Sequence, residues 1–298
     1  MEPSVIYNIH NGETFGILIA IYFYLTGLSA GSFILSTLAY GFGFEKYRPL
    51  GKIGVVLATL LLVIAPLFLL LHSGKPMRAW HLFFLLRGTS PITWGSFLLT
   101  LYPINCLIYG FFMFRGYKRL TKIFGFIGIP LAIAVHGYTG FILSFGKARA
   151  LWNSSLMPLL FLVSAMVSGI ALMILVSFIK DRFFSKEKKV NRELIFDLAK
   201  ILGWVIVFDL FLMFSEITTH FVSHKEAYEV NLLLLTGSFA LWFIGVELLL
   251  GKLIPLGIVL TPKFRTLPAI LIAAVLVIIG IFFMRYNVVL GGEYLPLI

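Results

Sequence analysis

The sequence predicts an all-α polytopic membrane protein with eight transmembrane helices and both termini on the outer, periplasmic side. Three observations lead there. Eight long apolar runs account for nearly all of the 298 residues; the composition is 60% hydrophobic and only 12% charged; and the Lys and Arg residues are distributed unevenly between the loops.

The runs lie at about 15–42, 51–71, 91–114, 123–145, 156–179, 196–221, 230–250 and 267–290. Each is long enough to cross a hydrocarbon core of ~30 Å as a helix, which takes about 20 residues. The connections are short, so a soluble fold is excluded: no water-facing surface remains for one. The N-terminal stretch, residues 1–13, has no basic region followed by a small-residue cleavage site, so the first run reads as a retained span rather than a signal peptide.

Taken in order, the first span carries Gly27-Leu28-Ser29-Ala30-Gly31 and the fifth carries Ser164-Ala165-Met166-Val167-Ser168-Gly169. Small residues at such spacing let helix backbones approach closely in lipid. Pro66 and Pro130 fall inside the second and fourth spans, where a missing N–H should kink or locally open the helix. Thr89-Ser90-Pro91 opens the third span, with Ser90 at the N-cap and Pro91 at the first helical position. The stretch from Leu82 to Arg87, apolar and edged by basic residues, reads as a short helix lying in the interface.

The most charged connection, Lys180 to Lys200, is the best internal boundary. It divides a single integral membrane domain into 1–180, holding the first four helices and the fifth-span region, and 181–298 with the remaining helices. The small-residue motifs of the first and fifth spans, both of which start on the outer side, suggest two four-helix bundles in parallel orientation.

With eight spans, one side of the bilayer carries Lys75, Arg78, Arg87, Lys147, Arg149, Lys225 and Arg285, and the other side the remaining 17 of the 24 Lys and Arg. The positive-inside rule therefore places the basic loops in the cytoplasm. The formal charge of +11 is thus a topology signal, with attraction to anionic lipid as a secondary effect, and not a nucleic-acid footprint. The outer loops differ in kind from the inner ones. They concentrate Lys75, Arg78, Trp80 and His81 in one segment and Lys147, Arg149, Trp152 and Asn153 in another. Trp and Arg are ordinary interfacial anchors, but their confinement to one side points to a docking surface for a partner.

Ionisable residues inside a span are costly and mark function. Asp209 lies near the middle of the sixth span and Glu216 two turns on, about 10 Å along the axis. His136 is central in the fourth span, with Tyr138 nearer its outer end. Glu247 sits toward the inner end of the seventh span, beside Lys252, and Arg285 near the outer end of the eighth. Glu216, His136, Asp209 and Glu247 descend in that order and suit a proton relay. Structural pairing offers the other account, Arg285 with Glu216 and Lys252 with Glu247; Asp209 has no basic residue at its expected depth. Tyr138, close to a polar outer loop, is a hydrogen-bond donor suited to a quinone carbonyl.

One cysteine, Cys106, excludes a Cys-ligated iron–sulfur cluster or zinc site within this chain. A haem b anchor of the cytochrome type is an alternative, but only His136 of the six histidines is deep. A secondary or proton-coupled transporter is another; it predicts matched helix breaks in two inverted halves, which the Gly and Pro positions do not supply.

Several separate motifs resemble the NrfD/PsrC-type family, the quinone-reactive membrane subunits of polysulfide- and nitrite-reductase complexes. They are Tyr22-Phe23-Tyr24-Leu25-Thr26-Gly27-Leu28-Ser29-Ala30-Gly31, the segment His72 to Arg78 with Trp80-His81, and Thr89-Ser90-Pro91-Ile92-Thr93-Trp94-Gly95. Tyr138-Thr139-Gly140-Phe141, Ala150-Leu151-Trp152-Asn153 and Val288-Val289-Leu290-Gly291-Gly292 complete the set. The resemblance implies a haem-free subunit of the bacterial or archaeal cytoplasmic membrane that exchanges electrons between menaquinone or ubiquinone and an outer partner. That partner is a ferredoxin-type iron–sulfur subunit, often joined by a molybdopterin catalytic subunit. It also implies a quinone site near the outer surface within residues 1–150, with Tyr138 as one contact. The second contact falls to His10, Asn11 or His72, because Gly16 stands where the family's imidazole is expected. The chain would then serve respiratory electron transport as one part of an oxidoreductase, catalysing nothing alone.

Overall fold

The computed structural model describes residues 15–84, 86–184 and 190–294. Within them the chain forms α1 (Ile17–Tyr40), α2 (Arg48–His72), α3 (Pro91–Arg115), α4 (Lys118–Ser144), α5 (Met157–Ile179), α6 (Arg192–Val222), α7 (Lys225–Leu235), α8 (Ile254–Leu260) and α9 (Leu267–Tyr294). A π-wound segment, Leu241–Leu253, runs directly into α8. Eight helical stretches among the described residues are long and apolar enough to cross a membrane.

Seven of the spans fall within a few residues of the apolar runs. The seventh does not. The run at 230–250 divides into α7, too short to cross a bilayer at 11 residues, and a span at Leu241–Leu260. The break is at Gly237, where an added Cβ would come within 2.8 Å of the Leu233 backbone. The span then continues past Lys252, a residue that hydropathy takes as an end. The ammonium is buried against carboxylates, so the helix has no need to stop there.

The centre of the molecule is α1 and α5. These cross where both backbones are bare: a Cβ on Gly31 would lie 2.8 Å from the Gly169 Cα. The small residues of the first and fifth spans meet each other. A second crossing of this kind joins Gly251 to Gly280 of α9. In lipid there is no hydrophobic drive between helices, so close backbone packing and interhelical hydrogen bonds must hold them. Ser29 Oγ donates to the Ala58 carbonyl at 2.8 Å and Ser36 Oγ to the Gly51 carbonyl at 2.6 Å, tying α1 to α2. Besides α2 and α5, α1 packs on α4 and α9; α3 closes against α2 and α4, and α6 against α5 and α8.

Local expectations are met unevenly. Helices α2 and α4 run through Pro66 and Pro130 without interruption. Ser90 occupies the N-cap of α3, with Pro91 following, but its hydroxyl makes no capping bond. The short helix expected at 82–87 lies earlier, as a 3₁₀ helix over Pro76–Phe83, with Met77, Trp80 and Phe84 exposed.

Candidate functional site

A cavity of about 400 Å³ opens among α1, α2, α3 and α4, at the end of the molecule that carries the 3₁₀ helix. Its walls are apolar, with Ile19, Phe23, Leu69, Leu99 and Ile142 among them, and its polar groups are few: Tyr22, His72, Ser73, Lys75, Arg78, Ser96 and Tyr138. Tyr138 lines the cavity with the hydroxyl end of its ring against α3 at Gly95. Its ring fills the place where any Cβ at that position would stand. Tyr22, on α1, is 2% exposed, and its hydroxyl has no hydrogen-bond partner among the described residues. The Ser96 hydroxyl is spent on the Ile92 carbonyl at 3.0 Å. Lys75 and Arg78 are exposed at the rim, and the His72 ring centroid lies 6.4 Å from that of Phe15.

Four of the sequence-selected residues, Tyr138, His72, Lys75 and Arg78, therefore share one cavity. His10 and Asn11 lie outside the described residues. His136 is elsewhere. Two residues from Tyr138 on one helix means about 200° of rotation, so the two side chains point apart. The His136 ring packs against α1, 2.8 Å from where a Cβ of Gly27 would be. Its Nε2 lies 2.8 Å from the Phe161 carbonyl and 3.1 Å from Arg285 Nη2. Arg285, fully buried, donates to the Phe161 carbonyl (3.0 Å) and to Ser164 Oγ (2.7 Å), with its guanidinium 3.8 Å above the Phe161 ring. The alternative pairing of Arg285 with Glu216 does not form.

Glu216 instead accepts a hydrogen bond from Ser154 Oγ at 2.7 Å and has His220 Nε2 at 3.5 Å. It shares a small cavity with His220, Asn231, Glu247, Lys252 and Asn287. Glu247 accepts from Asn287 Nδ2 (2.8 Å) and from Lys252 Nζ (3.2 Å), and the same ammonium stands 2.9 Å from Asp209 Oδ2. Two sequence readings are thereby corrected. Asp209 does have a basic partner at its depth, because the seventh span begins at 241 and carries Lys252 down into the bundle. The same shift moves Glu247 from the inner end of its span to a place between Glu216 and Lys252. The polar groups run Glu216, Glu247, Lys252, Asp209, with His136 off that line.

Of the candidate docking residues, Lys75, Arg78, Trp80, Lys147 and Asn153 are exposed, and the Trp80 and His81 rings lie 4.0 Å apart. Trp152 is turned inward, 3% exposed, and its Nε1 donates to the Val288 carbonyl at 2.7 Å. Arg149 Nη1 donates to the Glu293 carbonyl at 3.0 Å, and Glu293 Oε1 in turn accepts from the Phe15 amide. These two residues fasten the loop to the end of α9 and to the entry of α1. Gly292 is required there, since a Cβ would collide with the Trp152 indole.

Residues that sequence reasoning passed over are Tyr22, Gly95, Ser154 and Asn287. Asn287 carried a signal, an amide in an apolar span. Tyr22 and Gly95 lay inside quoted motifs, with nothing in the sequence to say which face they occupied.

Fold and site together define a multi-pass helical membrane protein with an apolar slot near one end of its spans, furnished with phenol donors and edged by an imidazole and cations. The protein belongs to the polysulphide reductase NrfD family, whose model matches residues 7–296. Among similar proteins is a selenate reductase subunit of Mesobacillus selenatarsenatis, 29% identical, with 95% of this sequence and 75% of that one aligned. The Hdr-like menaquinol oxidoreductase integral membrane subunit of Archaeoglobus fulgidus is 30% identical over 96% of this sequence and 72% of its own length. A polysulfide reductase subunit of Wolinella succinogenes is 27% identical, with 92% and 93% of the two sequences aligned.

Proposed function

We propose that this protein is the quinone-reactive membrane subunit of a respiratory oxidoreductase complex, and that the slot holding Tyr138 and His72 is where the quinone ring binds. The observation that carries this reading is the slot itself. Its volume suits a ring with two carbonyls, its walls are apolar, and its few polar groups converge from α1, α2 and α4. Menaquinol oxidoreductase stands in the name of one relative, and polysulfide and selenate reductase in the names of others.

A bound quinol supplies two electrons and two protons on oxidation, and a quinone takes up the same number on reduction. Around it the protein's own residues orient and exchange protons. The Tyr138 hydroxyl holds a carbonyl oxygen, and His72 at the mouth takes or gives a proton. Lys75 and Arg78 at the rim favour an electronegative partner surface. The electrons pass to or from an iron–sulfur subunit of ferredoxin type, with a molybdopterin subunit beyond it, seated over the 3₁₀ helix with Trp80 and His81 and over Lys147 and Asn153. Protons move along Glu216, Glu247, Lys252 and Asp209. The basic loops face the cytoplasm, both termini face outward across the cytoplasmic membrane, and the spans group as two four-helix halves.

Tyr138→Phe in the purified complex tests the site. Quinol-driven reduction of the partner should fall at least about 10-fold, the loss of a hydrogen bond made to the reacting oxygen. Unchanged turnover would remove Tyr138, and with it the slot, from the reaction.

A further inference from the structure

The slot holds one polar group that the described residues leave unmatched. Ile19, Tyr22 and Phe23 line it from α1, with Phe15 just before the helix, and Tyr22 lies a turn further in than Ile19. The Tyr22 ring is buried, yet its hydroxyl finds no hydrogen-bond partner among the described residues, whereas the nearby Thr26 and Ser96 hydroxyls are returned to their own helices. A phenylalanine would fill the same volume without the cost of burying an unpaired hydroxyl. Tyr138 stands at a comparable depth from the other side. It is six residues from the end of α4, as Tyr22 is five from the start of α1.

We propose that Tyr22 is the second hydrogen-bonding residue of the slot, and that its hydroxyl binds the ring oxygen at the deep end together with Tyr138. This rests on the reading of the slot as a quinone site. A phenol donates to a carbonyl oxygen and accepts from a hydroxyl. Two phenols meeting at one oxygen can therefore hold the ring in both its oxidised and reduced forms without a charged side chain. At the deep end, away from Lys75 and Arg78 at the rim, the two phenols favour an uncharged carbonyl or hydroxyl over a carboxylate, which would be stripped of water there.

The test uses the whole complex, solubilised from membranes, with menadione as the probe. Three measurements are made on Tyr22→Phe: affinity by calorimetric titration, the infrared carbonyl stretch of the bound probe, and thermal unfolding without ligand. The expected results are a fall in affinity of about 5–10-fold, a carbonyl band moved to higher frequency, and a ligand-free unfolding temperature no lower than wild type. An unchanged band, or an unchanged affinity, overturns the assignment. So does a clear drop in ligand-free stability, which would mean the hydroxyl has a partner within the protein. Tyr138→Phe separates this from the underlying reading. Wild-type complex that does not bind menadione, or binds it indifferently to Tyr138→Phe, contradicts the quinone site as a whole. Sensitivity to Tyr138→Phe without sensitivity to Tyr22→Phe contradicts only Tyr22.

Discussion

Lys252 Nζ stands 2.9 Å from Asp209 Oδ2, deep between α6 and the seventh span, with both residues fully buried. Two charges at that depth are tolerable only together, since each alone would lack both water and a counter-charge. Glu247 completes the group from the other side of the ammonium. Lys252→Met should therefore destabilise the protein by about 3–5 kcal/mol, the cost of leaving buried carboxylates unpaired. Thermal unfolding of the purified protein in detergent measures it. Adding Asp209→Asn and Glu247→Gln to the same variant should restore most of the loss, and failure to do so would mean the ion contacts are not what hold these helices.

The same group stands on the route assigned to protons. Glu247→Gln keeps the shape of the side chain and its contact with Asn287, while removing its capacity to carry a proton. Quinol turnover by the complex should drop about 10-fold or more with menadione binding unchanged, because the variant leaves the slot intact. Full turnover would take Glu247 off the path.

Gly95 fixes Tyr138. With any Cβ at that position the phenol ring must leave the face of α3. Gly95→Ala should raise the KM for quinol or lower turnover by about 10–100-fold, in line with the penalty for misplacing a contacting group by an ångström. The protein should still insert and accumulate normally. Steady-state kinetics on membranes of matched protein content would show it.

How far the sequence alone leads can be seen at these residues. Apolar run length was enough to locate seven of the spans, since a bilayer crossing imposes a length that few other structures need. It misplaced the seventh because hydropathy scores Lys252 as an end, and only tertiary pairing with Asp209 and Glu247 makes it an interior residue. Tyr138 and His72 were legible as neighbours because both lie near helix ends on one side. His136 reads from its depth as a member of the proton relay, although its side chain meets Arg285 and the Phe161 carbonyl instead. Trp152 looked like an interfacial or docking residue. Nothing in the sequence announced that Gly292, far along the chain, leaves room for its indole.

That last contact gives a further prediction. Gly292→Ala should expel the Trp152 ring and break its bond to the Val288 carbonyl, at a cost of about 1–3 kcal/mol for overpacking. Amide hydrogen exchange across residues 146–156 should speed up markedly, while exchange in α1 and α5 stays as it was. Unaltered protection of that loop would show that Arg149 and its other contacts suffice to hold it.

The central claim, that a quinone ring enters the slot between α1, α2, α3 and α4, is tested most directly by photolabelling. Native membranes would be illuminated with an azido-substituted quinone and the modified peptides mapped by mass spectrometry. Label concentrated on residues 15–23, 69–78, 92–99 and 138–142, and displaced by excess menadione, is the expected result. Label spread instead over the exposed apolar groove near Phe111 and Phe114, at the opposite end of α3, with the slot peptides unmodified, would contradict it.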